Sequence, residues 1–293
     1  VSALAEKAAG LPVAVRVGFW MIVASVNFAL MLGIARYLSA ELSVFVISFW
    51  RNLFAALLFV PWAIRVGPAR LVTRSIGLHV GRAACLVISS TTMFLAAAMM
   101  PIAEVTAISF TTPLFTVLLA ALFLREQLTW VRVLGLGIGF VGMLVMLRPG
   151  AAAFDLAAVY VLVSAVSFGG VVVLGRILAQ RDSAELMVAL LALCSVPLAL
   201  LPALTVWTLP DPTQLLWLLL MALFGNLNMY GIVRSLKIAE ASLTQPYDFL
   251  RLPTTAAVGF LAFAEAPDAW TWLGAAIICA GTVWVTRAES RRR

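Results

Sequence analysis

The sequence predicts an all-α membrane protein of ten transmembrane helices, arranged as two inverted five-helix repeats with both termini cytoplasmic. Three observations carry that expectation: apolar runs long enough to cross a bilayer, basic residues confined to alternate connections, and an internal match of the chain with itself.

Of the 293 residues, 63% are hydrophobic and only 11% charged, and the mean hydropathy is +1.07. That is too little polar surface to cover a water-soluble globule. About 20 apolar residues cross a hydrocarbon core about 30 Å thick. Ten windows qualify, at residues 18–37, 43–64, 76–98, 103–124, 130–147, 156–178, 184–205, 213–235, 241–264 and 270–286. Gly, Pro and charged residues punctuate the short breaks, as in VGPAR (66–70), LRPGAAAFD (147–155) and TLPDPTQ (208–214). The first apolar run is too long for a signal-peptide core and lacks a small-residue cleavage site, so it counts as a span. Cys85, Cys194 and Cys279 occur singly within spans and read as small core residues.

With the first residue cytoplasmic, sixteen of the twenty Lys and Arg residues fall on that side. Arg36 and Arg148 fall outside, and Arg51 and Arg251 lie at membrane depth. Basic connections stay in the cytoplasm during insertion, so the number of spans should be even. The net charge of +7 is then an orientation signal that also suits anionic lipid, with no nucleic acid implied.

Displacing the chain by 140 residues sets Trp20 on Tyr160, Asn27 on Ser167 and Pro113 on Pro253. A displacement of 139 sets Glu126 on Glu265, Gly135 on Gly274 and Gly142 on Gly281. Residues 18–147 and 156–286 therefore read as two repeats, between an N-terminal segment (1–17) and a basic tail (287–293). Five spans is an odd number, so the second repeat should enter the membrane from the opposite side. The charges agree, because LREQLTWVR (124–132) carries two arginines and its counterpart FAEAPDAWT (263–271) carries none. Inverted repeats are a hallmark of secondary transporters, whose site lies between the halves.

The stretch TPLFTVLLAALFLREQLTWVRVLGLGIGFVGMLVM (112–146) and its weaker echo LPTTAAVGFLAFAEAPDAWTWLGAAIICAGTVWV (252–285) resemble the EamA-type repeat of the drug/metabolite transporter superfamily. Each has a mid-span proline, a glutamate near the span end and a glycine-spaced helix after it. The resemblance covers essentially the whole chain and is nearest to ten-helix bacterial exporters of amino acids and related metabolites. It implies a permease in the bacterial inner (plasma) membrane and leaves the substrate open.

Other chemistry finds little support. GIGFVG (137–142) is a literal dinucleotide-binding pattern, but it lies within a span and lacks the preceding strand, so helix packing explains it better. There is no P-loop lysine motif, one histidine and no Cys/His cluster. Neither an enzyme, a cofactor nor a metal site is expected.

Candidate site residues follow from polarity at depth. Pro113 and Pro253 should kink spans 4 and 9 at matched places, freeing the carbonyls of Ser109 and Phe249. Trp20 and Asn27 share a face of span 1, as Tyr160, Ser164 and Ser167 do on span 6. On span 8, Asn226 and Tyr230 share a face and Asn228 points elsewhere. His79 is a further substrate-ligand or proton-sensitive candidate. Arg51, deep in span 2, should find a carbonyl or carboxylate partner on another span. Thr244, Asp248, Arg251 and Thr255 form a polar stripe on span 9, and Asp248, Arg251 and Arg51 are the gate or coupling candidates.

The leading expectation is a secondary transporter exporting neutral or aromatic amino acids by alternating access, with protons as a possible coupling ion and no stated oligomeric state. Nucleoside-, vitamin- or drug-like solutes are the alternative within transport. An anionic substrate would require basic residues in the cavity, and only Arg51 and Arg251 lie deep enough. A non-transporting protein such as a lipid scramblase is the alternative outside it.

Overall fold

A computed structural model describes residues 13–67, 73–124, 130–147, 156–239, 247, 251–264 and, between 268 and 284, residues 268–270, 272–274, 276–277, 280–281 and 284. Among these, all regular structure is helical. The helices are α1 (Val13–Leu38), α2 (Val44–Leu57), α3 (Val60–Val66), α4 (Ile76–Met99), α5 (Ile102–Ser109), α6 (Thr112–Leu124), α7 (Trp130–Leu147), α8 (Leu156–Ala179), α9 (Ala184–Ala203), α10 (Pro212–Ile238) and α11 (Arg251–Phe263). Six segments are long and apolar enough to cross a membrane by length and composition.

Polarity is distributed inside out. Leu122 and Phe123 are 74% and 72% exposed, whereas Arg51, Arg82 and His79 are 5%, 1% and 0% exposed. Water would reverse that arrangement, because a broad exposed apolar surface is unstable there; lipid favours it.

Two predicted spans are interrupted. Span 2 is divided into α2 and α3 by a turn at Leu58 and Phe59. Span 4 is divided into α5 and α6 at Phe110 and Thr111. Pro113 is the second residue of α6, where a missing N–H leaves no bond unmade. The interruption is therefore a full break rather than the expected kink in one helix. Local bonds repair the backbone: Thr111 N donates to the Ile108 carbonyl at 3.0 Å, and Leu114 N donates to the Thr111 carbonyl at 3.0 Å. Pro253 is the third residue of α11 as described. Thr244, Asp248, Phe249, Glu126 and Glu265 lie outside the described residues.

Elements from opposite halves of the sequence interlock. The largest interfaces pair α1 with α10, α4 with α8 and α2 with α9. Small residues permit the closest approaches. A Cβ on Gly231 of α10 would stand 2.6 Å from the Trp20 carbonyl oxygen and 3.2 Å from Ala24 N on α1. On α4 and α8, a Cβ at Gly170 would meet Cys85 Sγ at 3.1 Å. In GIGFVG the packing role is different from the one expected. Gly137 and Gly139 face open space, and it is Gly281 that makes the close approach, against Ile138.

The apolar core has two main parts. Phe28, Leu32, Phe94, Ile108 and Met221 join α1, α4, α5 and α10, and Leu86, Val172, Met187 and Val233 join α4, α8, α9 and α10. Between these parts lies a cavity.

Candidate functional site

The cavity is a narrow, partly open cleft of about 40 Å3. Eight helices contribute to it. Its apolar wall includes Phe28 and Met31 of α1, Met93 and Phe94 of α4, and Phe168 of α8. Hydroxyls come from Ser89 and Ser90 of α4, Ser109 at the end of α5 and Thr112 at the start of α6. The helix break thus places the ends of both half-helices at the cavity. Asn228 of α10 supplies an amide, and α2 and α11 supply Arg51 and Arg251.

The two guanidiniums are held differently. Arg251 lies over the Phe28 ring, 4.5 Å from its centroid, and near Phe168 at 5.5 Å, a cation–π arrangement strengthened by burial. Arg51 donates from Nη2 to Asn52 Oδ1 at 2.6 Å, approaches Met31 Sδ at 3.8 Å from Nη1 and lies 5.9 Å from the Phe94 centroid. The expected carbonyl or carboxylate from another span is not its partner; its side-chain hydrogen bond is to its own neighbour, and its contacts across helices are a thioether and a ring. Gly225 of α10 makes room for it, since a Cβ there would stand 3.1 Å from Arg51 Nη1.

Cross-half hydrogen bonds border this space in equivalent positions. Ser164 Oγ donates to the Ser89 carbonyl at 2.8 Å, and Asn228 Nδ2 donates to the Ala24 carbonyl at 2.8 Å. Ser89 and Asn228 are 139 residues apart, and Ala24 and Ser164 are 140 apart, the displacements of the internal match.

Of the other predicted residues, Ser109 lines the cavity. Trp20 and Tyr230 do meet, edge to face at 5.6 Å with Arg234 5.4 Å from both rings, but in a separate cluster where Tyr230 Oη donates to Glu185 Oε1 at 3.1 Å. Asn27 bonds to the Val23 carbonyl of its own helix. Asn226 turns to the Ala55 carbonyl of α2. Tyr160 packs against the larger core cluster, and Ser167 is half-buried without lining the cavity.

His79 also lies apart from the cavity. Its Nε2 stands 2.9 Å from Asp182 Oδ2 in the turn between α8 and α9. A carboxylate can only accept, so Nε2 carries the proton. Asp182 also accepts from Thr73 Oγ1 at 3.1 Å, and Arg181 Nη1 donates to Ser75 Oγ at 3.3 Å. One turn deeper, Arg82 donates to the carbonyls of Val171 and Met187 at 3.2 and 3.3 Å. This cluster ties the start of α4 to α8 and α9. The sequence singled out neither Asp182, Arg82 and Ser89 nor the cavity position of Asn228; of these, only Asn228 carried a signal, an amide at membrane depth.

Known proteins place this architecture. The model of the EamA-like transporter family matches residues 16–148 and again 155–287. An S-adenosylmethionine uptake transporter of Rickettsia prowazekii is 27% identical over 93% of this chain and 92% of its own length. A riboflavin transporter of Brucella anthropi is 31% identical over 84% and 88%. A pseudopaline exporter of Pseudomonas aeruginosa is 24% identical over 92% and 95%. A crystal structure at 19% identity superimposes with a TM-score of 0.70 over 96% of this chain and 98% of that one, a likeness of fold. With its apolar helices and its two family matches, this multi-pass bacterial membrane protein belongs to the EamA-like transporter family, within the drug/metabolite transporter superfamily.

Proposed function

We propose that the chain carries a heteroaromatic, nucleoside- or vitamin-like metabolite across the bilayer, binding it in the central cavity. The observation that supports this most is the cavity's lining: phenylalanine and methionine faces for a flat ring, two guanidiniums and a ring of hydroxyl and amide groups for polar substituents. Relatives point the same way, since S-adenosylmethionine and riboflavin both join a fused heteroaromatic ring to a polar chain. Export of neutral amino acids draws no support from these relatives.

The carrier works by alternating access between two inverted five-helix repeats, residues 18–147 and 156–286, in a ten-helix chain with both termini cytoplasmic. The match at 139–140 residues and the sixteen-to-two bias of basic residues support that topology. Arg51, Arg251, Ser109 and Asn228 contact the solute. The His79–Asp182 cluster closes the cytoplasmic end, and Asp248 is the candidate for proton coupling. Counterflow in proteoliposomes with labelled nucleosides, flavins and amino acids tests the reading. Flux for a ring-bearing metabolite is expected; flux confined to amino acids would overturn it.

A further inference from the structure

We infer that Arg51 is an anion seat, and that the solute carried by this protein bears a carboxylate that docks on it. The inference rests on the cavity being the solute site and adds the charge of the solute. Arg51 is 5% exposed. Among the described residues no carboxylate lies within ion-pair distance of its guanidinium, whose hydrogen-bond acceptors are the Asn52 amide oxygen and the Met31 thioether. Its Nε is buried without a partner. A guanidinium carries five N–H donors, so most of its hydrogen-bonding capacity is unmet at a cavity wall.

A buried cation without a counter-ion is costly, and such a group is retained in an apolar helix where something outside the helix satisfies it. Its chemistry narrows the ligand. The planar fork presents parallel N–H groups that match a carboxylate bidentately. The remaining surroundings are mainly phenylalanine, methionine and hydroxyl groups, which leave the guanidinium as the chief partner for a carboxylate. Arg251 lies on the same cavity. Gly225 keeps the approach open by leaving out the Cβ that would press on Nη1.

The test uses acid and amide pairs of equal size. Adenosine-5′-carboxylic acid is compared with adenosine-5′-carboxamide, with the same contrast on a flavin and on an indole ring and with succinate as an acyclic acid. Binding to the purified full-length protein is read by thermal stabilisation and by counterflow. Wild type should prefer at least one acid over its amide by tenfold or more. Arg51→Gln should reduce that preference to less than twofold, and Arg51→Lys, which keeps the charge without the fork, should fall between. Equal binding of acid and amide throughout, or no binding of any acid, overturns the inference, even if Arg51→Gln fails to fold. Ring compounds that bind regardless of charge would end the anion seat and leave the ring reading standing. Binding of succinate without any ring acid would do the reverse.

Discussion

His79 Nε2 and Asp182 Oδ2 stand 2.9 Å apart across a sequence separation of 103 residues, fastening the first turn of α4 to the turn that joins α8 and α9. Asp182 also holds Thr73, so one carboxylate gathers two groups of the other half. His79→Ala and Asp182→Ala should each lower the unfolding temperature. A double-mutant cycle should return a coupling of about 0.5–3 kcal/mol, as contacting residues do. Strictly additive losses would show that the pair is incidental.

Gly231→Ala should destabilise the fold by about 1–3 kcal/mol, the usual penalty for overpacking. Its new methyl meets the Trp20 carbonyl at 2.6 Å, and a helix backbone has no rotamer to escape through. Gly77→Ala is the control, since nothing lies within 4 Å of its Cβ position. Thermal unfolding in detergent compares the two, and an equal response would refute the contact.

Gly225→Ala should behave differently. Its methyl meets the Arg51 Nη1 and Met31 Sδ atoms at 3.1 and 3.3 Å, both at flexible side-chain ends that can shift. Thermal stability should be nearly unchanged while solute affinity falls about tenfold, equivalent to about 1.4 kcal/mol. A stability loss as large as that of Gly231→Ala would contradict this.

Asn228→Ala should reduce flux more than Asn226→Ala. Asn228 lines the cavity and bonds to the Ala24 carbonyl, whereas Asn226 bonds to the Ala55 carbonyl outside it. Interhelical bonds of this kind contribute roughly 0.6 kcal/mol each in membranes. Comparable stability with unequal counterflow is the expected result; equal flux would remove Asn228 from the site.

An imposed pH gradient should accelerate wild-type flux and leave Asp248→Asn unaffected, if folding is checked in the same preparation. Asp248 is proposed as the proton-handling group. A gradient response that survives in the variant would exclude it from coupling.

Hydropathy made six spanning segments legible, because lipid imposes a length on every helix that crosses it. It also picked out Arg51 and Arg251, since charge at depth is conspicuous in an apolar chain, and both line the cavity. The helix face of α10 was misread. Asn226 and Tyr230 do share a stripe, but the cavity face of a helix is set by its neighbours, and Asn228 rather than Asn226 points into the gap. Trp20 and Tyr230 were both chosen for polarity and do touch, in an aromatic cluster that periodicity on either helix alone could not place. The His79–Asp182 pair was invisible because no local spacing relates residues 103 positions apart. Arg82 is satisfied by backbone carbonyls, which leave no mark in a sequence.

The two cavity arginines occupy positions that the repeat does not duplicate. Arg51 displaced by 139 or 140 falls on Leu190 or Leu191, and Arg251 displaced backwards falls on Thr112 or Thr111. A cavity built from two like halves would offer a guest two poses related by a half-turn, with equal energy. Here the charges single out one of them. On the proposed function, the solute is held by one end in a fixed sense, like a key with a single correct face.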